Sequence, residues 1–191
     1  MSDKKKIAIF ASGNGSNFEA IAKACIEGRV NAEVALCVCD HPGAYVTQRA
    51  KNLNIPVLEI RPRSYSSKSE YEKEILDALK KSNVEFIALA GYMRIIGDVL
   101  LNAYAGKIVN IHPSLLPSFP GVDAIGQALD YGVKVFGVTV HYVDQTLDGG
   151  KIISQAAIPY DGDSRHELET MVHAREHALY ISTLQSLLNK K

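Results

Sequence analysis

Ile7-Ala8-Ile9-Phe10, then Ala11-Ser12-Gly13-Asn14-Gly15-Ser16-Asn17, then Phe18, Ile21, Ala22 and Cys25: these residues decide the fold. The first four form an unbroken apolar run, as in a strand covered on both faces. The glycine-rich stretch predicts a tight turn. The last four recur at spacings of three and four and mark one face of a helix. The same alternation continues. Val34 to Cys39 and Val57 to Ile60 read as strands, with Ala44 to Leu53 as the helix between them. Ser66 to Lys81 carries Tyr71, Ile75 and Leu79 every four residues among charged neighbours, which predicts an amphipathic helix. Phe86 to Ala90 and Ile108 to Ile111 are the fourth and fifth strands.

This repeating order of strand and helix predicts an α/β fold with a mainly parallel, Rossmann-like sheet flanked by helices. The pattern then changes. Val133 to Tyr142 and Ile152 to Ile158 are strand-like runs separated by a polar loop, a hairpin-like antiparallel extension. Ser164-Arg165-His166-Glu167 has a capping-box pattern and opens a long final helix. Leu168, Met171, Val172 and Leu179 are its expected buried side. Residues 1–191 are expected to form a single domain.

Composition narrows the function. Lys+Arg and Asp+Glu both total 21, so no basic surplus points to nucleic acid. No apolar run reaches membrane-spanning length. The opening Ser2-Asp3-Lys4-Lys5-Lys6 lacks the apolar segment of a signal peptide, so a cytoplasmic protein with no membrane partner is expected. Cys25, Cys37 and Cys39 are an odd set without a secretion signal, unlike a disulfide framework. Cys37-Val38-Cys39 fits two small residues on one face of a strand better than a metal pair.

Four stretches carry candidate chemistry. In Ser12-Gly13-Asn14-Gly15-Ser16-Asn17 the turn leads into a helix N-terminus whose backbone N–H groups suit a phosphate. An ordinary turn capped by Ser16 or Asn17 is the alternative. Leu89-Ala90-Gly91-Tyr92-Met93-Arg94-Ile95-Ile96-Gly97 begins at the carboxyl end of strand four, where open α/β sheets bind ligands. Met93, Ile95 and Ile96 suit an apolar wall, and Arg94 an anion or a flat ring; plain core packing with a surface Arg is the alternative. In Asn110-Ile111-His112-Pro113-Ser114-Leu115-Leu116-Pro117 the amide and the imidazole sit at i and i+2 of a strand and point to one side. Together they suit stabilisation of an oxyanion. Pro113, Pro117 and Pro120 stiffen the exit. Finally, His141-Tyr142-Val143-Asp144-Gln145-Thr146-Leu147-Asp148-Gly149-Gly150 offers a carboxylate, Asp148, to orient His112. Its spacing matches no standard metal-ligand set and reads equally as a hairpin turn.

Taken together, these four stretches resemble the formyltransferase family that uses 10-formyltetrahydrofolate, over nearly the whole chain. The third stretch marks the family broadly. The first, with the chain's length, points to members acting on phosphoribosylglycinamide. The resemblance implies formyl transfer from 10-formyltetrahydrofolate, as co-substrate, to the amine of that ribonucleotide in purine biosynthesis. It implies no metal, small-molecule substrates only, and a monomer or homodimer.

The resemblance also assigns residues. Asn110, His112 and Asp148 match the catalytic trio. Gly15, Ser16 and Asn17 match the phosphoribosyl-binding turn, and His173 and Glu176, in His173-Ala174-Arg175-Glu176, match the ribonucleotide contacts of the last helix. Lys68, Met93, Arg94, Ile95, Ile96, Asn110, Asp144, Leu147 and Asp148 match the folate pocket. Within the single domain, the amino-terminal half is expected to be mainly phosphoribosyl-binding and the carboxyl-terminal half mainly folate-binding and catalytic. Two positions depart from the pattern. Lys68 stands where some relatives have Arg, and Asp123 where many have His. A 10-formyltetrahydrofolate hydrolase and a non-catalytic folate- or nucleotide-binding protein are the rival expectations; the intact trio favours a transferase over the latter.

Overall fold

Strand faces decide where everything else packs. In the computed structural model of the protein, which describes residues 4–189, the first strand β1 spans Lys5–Ala11. Ser2 and Asp3 of the opening polar run lie outside the described residues. Ile7, Ile9 and Ala11 enter one buried cluster, and Ala8 and Phe10 enter another on the opposite face. That is the period-2 signature of a strand covered on both sides. β2 (Ala32–Cys39) repeats it: Cys37 and Cys39 share the first cluster, while Leu36 and Val38 share the second. Burial pushes the thiols of Cys25 and Cys37 up to about 11 and about 12, which leaves them as packing residues.

The remaining strands are β3 (Val57–Glu59), β4 (Phe86–Leu89), β5 (Ile108–His112), β6 (Val135–Tyr142) and β7 (Ile152–Pro159). They form a seven-stranded sheet in the order β3-β2-β1-β4-β5-β6-β7. β1 to β5 are mutually parallel, and β6 and β7 add antiparallel. The mainly parallel sheet with an antiparallel extension is therefore as expected. The order reverses between β1 and β4, so a crevice opens at the carboxyl ends of those two strands.

Helices cover both faces. The first cluster is closed by α1 (Ser16–Ile26), α2 (Tyr45–Asn52), α5 (Ala124–Tyr131) and the long α6 (Arg165–Leu188). The second is closed by α3 (Lys68–Lys81) and α4 (Asp98–Ala103). Tyr71, Ile75 and Leu79 of α3 are buried as their spacing predicts. α4 and α5 were not expected from the sequence. α4 has only six residues, too few for a periodic pattern. α5 has clear end signals in hindsight: Asp123 as its N-cap and Gly132, in the left-handed region, as its C-cap.

The expected buried side of α6 needs one correction. Leu168, Val172, Tyr180, Leu184 and Leu188 are buried and Leu179 packs against them, but Met171 is 37% exposed. The buried stripe steps by four residues, and Met171 falls a full 100° turn step from Val172 on the side away from it. The capping box at the start of α6 is also altered. Ser164 Oγ accepts from Glu167 N–H as expected, but Ser164 N–H donates to the Tyr160 hydroxyl, which in turn donates to Glu167 Oε2.

Tyr180 ties α6 to the functional edge of the sheet. It is fully buried, and its hydroxyl lies 2.9 Å from the Leu89 carbonyl and 3.1 Å from the Val109 carbonyl. Those carbonyls end β4 and immediately precede Asn110. Tyr180→Phe should therefore lower unfolding free energy by about 1–3 kcal/mol, because buried acceptors lose their donor. Urea denaturation monitored by circular dichroism checks this.

Candidate active site

β5 carries Asn110 and His112 on one side, as the i, i+2 spacing predicts, and the β6 register sets what faces them. Asn110 pairs with His141, and His112 with Thr139. The turn after β6 brings Asp148 over both histidines. His112 Nδ1 lies 3.5 Å from Asp148 Oδ2, and His141 Nε2 lies 3.8 Å from Asp148 Oδ1. His112 is 5% exposed and donates from Nε2 to the Phe119 carbonyl at 2.9 Å. The imidazole is thus held at Nε2, with Nδ1 turned toward the Asp148 carboxylate.

Asp148 is held just as firmly. It adopts φ 50°, in the left-handed region, and its Oδ2 accepts from Gly121 N–H at 2.8 Å. The glycines that follow are sterically required. A Cβ on Gly150 would collide with the Tyr142 carbonyl, and one on Gly149 with the Thr146 side chain. Asp148-Gly149-Gly150 is therefore the backbone solution that lets a carboxylate fold back over the strand ends.

The loop after His112 is fastened by residues that sequence reasoning did not single out. Thr139 is fully buried; its hydroxyl donates to the Ser114 carbonyl at 2.7 Å and accepts from Leu116 N–H at 3.1 Å. Gln155 of β7 donates to the Leu116 carbonyl and to Thr139 Oγ1, both at 2.9 Å. Prolines alone were expected to stiffen this exit. Cross-strand side chains do so as well.

A second cluster forms where α1 begins. Gly15 is the helix N-cap at φ 77°, with no side-chain cap, so neither Ser16 nor Asn17 caps the helix. A Cβ at Gly15 would overlap Val46 of α2, which explains glycine there. The uncapped first turn presents backbone N–H groups to the crevice. Arg49 of α2 braces the turn, donating to the Asn14 carbonyl and to Asn14 Oδ1, each at 2.9 Å. From the far end of the chain, Glu176 Oε2 accepts from Asn17 Nδ2 at 3.1 Å and from His173 Nδ1 at 2.9 Å. The structure thus brings together Gly15, Ser16, Asn17, His173 and Glu176.

The third group is the segment after β4. Four side-chain bonds pin it. The Tyr92 hydroxyl meets that of Tyr71 at 2.6 Å, Met93 N–H donates to Ser12 Oγ at 2.9 Å, Arg94 Nε donates to Asp40 Oδ2 at 2.7 Å, and Gly97 N–H donates to Glu72 Oε1 at 2.5 Å. Burial alone would raise the Asp40 carboxyl, but bonds from Ser12, His41 and Arg94 outweigh it and hold that carboxyl below its ordinary range. The result is a rigid strip that leaves Met93 78% and Ile95 64% exposed. Ile96 points inward and is buried with α3. Lys68, the first residue of α3, packs its stem against Gly97. Asp144 and Leu147 lie in the exposed loop before Asp148, where Asp144 Oδ1 accepts from Thr146 N–H at 2.7 Å.

Asp123 also has a clear place. It caps α5 through Gly126 N–H and forms a 2.7 Å ion pair with Arg165 at the start of α6. Among the described residues no group of three or more metal-binding side chains forms, and no helix is long and apolar enough to cross a membrane.

Comparison with known proteins places this geometry. The formyl transferase family model matches residues 5–184. The chain is 54% identical over 185 residues to the phosphoribosylglycinamide formyltransferase of Bacillus subtilis (strain 168), covering 96% of this chain and 95% of that one. The crystal structure of phosphoribosylglycinamide formyltransferase from Bacillus halodurans superposes with a TM-score of 0.95 at 51% identity, covering 97% of this chain and 96% of that one. Glycinamide ribonucleotide transformylase 1 from Geobacillus kaustophilus gives a TM-score of 0.94 at 53% identity, covering 97% and 99%.

Two outcomes follow from this geometry. Thr139→Val leaves Leu116 N–H and the Ser114 carbonyl without their partner, and should cost about 1–3 kcal/mol in denaturant unfolding. The bond to Glu176 raises the His173 pKa. Its stabilising contribution is therefore complete below the unfolded value and fades as pH rises through the folded one. An NMR titration of His173 should give a midpoint above the usual histidine range, falling in Glu176→Gln.

Proposed function

The chain belongs to the formyl transferase family, and from that membership we propose that it moves a formyl group from 10-formyltetrahydrofolate to the amine of phosphoribosylglycinamide, a step of purine biosynthesis. The observation that carries this is the convergence of Asn110, His112 and Asp148 beside the uncapped start of α1. One end of the crevice suits a phosphate and the other suits acyl chemistry. Both substrates are small molecules, and each pocket draws on both halves of the chain.

The phosphate sits on the N–H groups of Gly15, Ser16 and Asn17. Glu176 and His173 take the polar groups of the ribose and glycinamide, with Glu176 held between Asn17 and His173. The pterin lies against the exposed Met93 and Ile95, over a backbone that is already fixed and so loses little entropy on binding. Arg94, Ile96, Asp144 and Leu147 shape that pocket, and Lys68 offers a cation to the anionic tail. Lysine gives a point charge there rather than a planar fork, so the tail is steered more than gripped.

The amine attacks the formyl carbon, and its lone pair becomes the new N–C bond while the carbonyl electrons move to oxygen. Asn110 donates an N–H to that oxygen. His112, bonded at Nε2 to the Phe119 carbonyl and facing Asp148 from Nδ1, lends its imidazole to the stabilisation of that charge. Collapse of the tetrahedral intermediate breaks the bond to the folate nitrogen. The proton lost by the attacking amine travels to that nitrogen by way of Asp148, directly or through water.

Purified protein given both substrates should release tetrahydrofolate only when the ribonucleotide is present. Release without it would instead identify a hydrolase. Asn110→Ala and His112→Ala should each lower kcat by at least ~100-fold with unchanged folding. A variant retaining near-normal turnover would remove that residue from the mechanism.

A further inference from the structure

The β5/β6 register seats His141 directly opposite Asn110. His141 also stands at an irregularity in the pairing with β7, where Val140 pairs with Ser154 but His141 pairs with Ile152. One residue of β7 is thus passed over, as in a bulge, and bulges re-aim side chains beside functional sites. His141 is 2% exposed. Its Nδ1 lies 2.8 Å from the Tyr142 carbonyl, which can only accept, so Nδ1 carries a hydrogen. Its Nε2 lies 3.3 Å from Asn110 Nδ2.

We propose that His141 is a positioning residue for formyl transfer, a neutral imidazole whose Nε2 lone pair fixes the direction of the Asn110 amide. This rests on the formyl-transfer reading above. In a neutral ring protonated at Nδ1, Nε2 offers only a lone pair. It accepts an N–H from Asn110 and repels the amide oxygen, so a flipped Asn110 is disfavoured. One Asn110 N–H is spent on His141, and the other is left in a set direction toward the reacting carbonyl. The direction matters because His112 Nε2 is already bonded to the Phe119 carbonyl and Nδ1 faces Asp148, which makes Asn110 the direct donor of the trio.

The charged groups around His141 agree with a neutral ring. Burial lowers its pKa and nearby His112 adds to this; the Tyr142 carbonyl, Asp148 and Asp144 oppose it, and the net direction is downward. A second charged imidazole beside Asp148 would compete with His112 for the same carboxylate. With His141 neutral, Asp148 serves His112.

A double-mutant cycle with Asn110 tests the proposal. His141→Phe should lower kcat by up to about 100-fold, with the KM of each substrate changed by less than about threefold. In the Asn110→Ala background the same change should alter kcat by less than about threefold, because the group it positions is already gone. His141→Gln, whose Oε1 replaces the Nε2 acceptor, should recover part of the loss. Equal losses in the two backgrounds, or no loss at all, would overturn the proposal. Nitrogen-15 shifts of wild-type His141 give a readout that needs neither activity nor a folded variant. A protonated Nδ1 with a bare Nε2 is expected, and a protonated Nε2 would overturn the proposal. Wild-type protein without ribonucleotide-dependent turnover would overturn the formyl-transfer reading instead, and the nitrogen shifts would still decide the orientation of the amide.

Discussion

The pairing of β5 with β6 is the constraint on which the site depends. It is an antiparallel contact at the border of a parallel sheet, and its register sets Asn110 against His141 and His112 against Thr139. In a strand every side chain changes face if the register slips by one residue. A slip here would separate the amide from the imidazole and detach the loop from Thr139 at the same time. The apolar burial of Val109, Ile111, Val138 and Val140 opposes such a slip. Core packing thereby fixes the position of polar side chains that have no packing role of their own.

The strip after β4 applies the same logic to an exposed surface. Met93 and Ile95 face solvent, which is unfavourable for apolar side chains. They stay there because Ser12, Asp40, Tyr71 and Glu72 hold the neighbouring residues from beneath. Ser12 belongs to the turn before α1, and Met93 to the proposed folate wall. The two segments are therefore bonded to each other as well as to the sheet.

Much of this was legible in the chain. The period-2 runs of β1 and β2 revealed a sheet covered on both sides, and the four-residue spacing of α3 revealed its buried face. Asn110-x-His112 reads as a pair because strand geometry demands it. The contributors left unread were those whose role exists only across strands or helices. Thr139 and Gln155 are ordinary strand residues until the register brings them to the Ser114–Leu116 backbone. Arg49 looks like a surface helix residue until the fold delivers Asn14 to it. Asp123 reads as an isolated loop acid until the fold makes it the cap of α5 and the partner of Arg165. Met171 illustrates the opposite error: an apolar residue in a helix was assigned to the core by character, although it lies one turn step off the buried stripe.

The bond between Asn17 and Glu176 joins residues 159 positions apart. During synthesis on the ribosome, β5 with Asn110 and His112, and the turn with Asp148, emerge before α6 does. A nascent chain halted before α6 has Asn110, His112 and Asp148 but neither the Glu176 bond to Asn17 nor the Tyr180 brace on β4 and β5. Contacts this distant in sequence close late because the loop they join is long. The crevice between α1 and the sheet edge is thus complete only once α6 has docked.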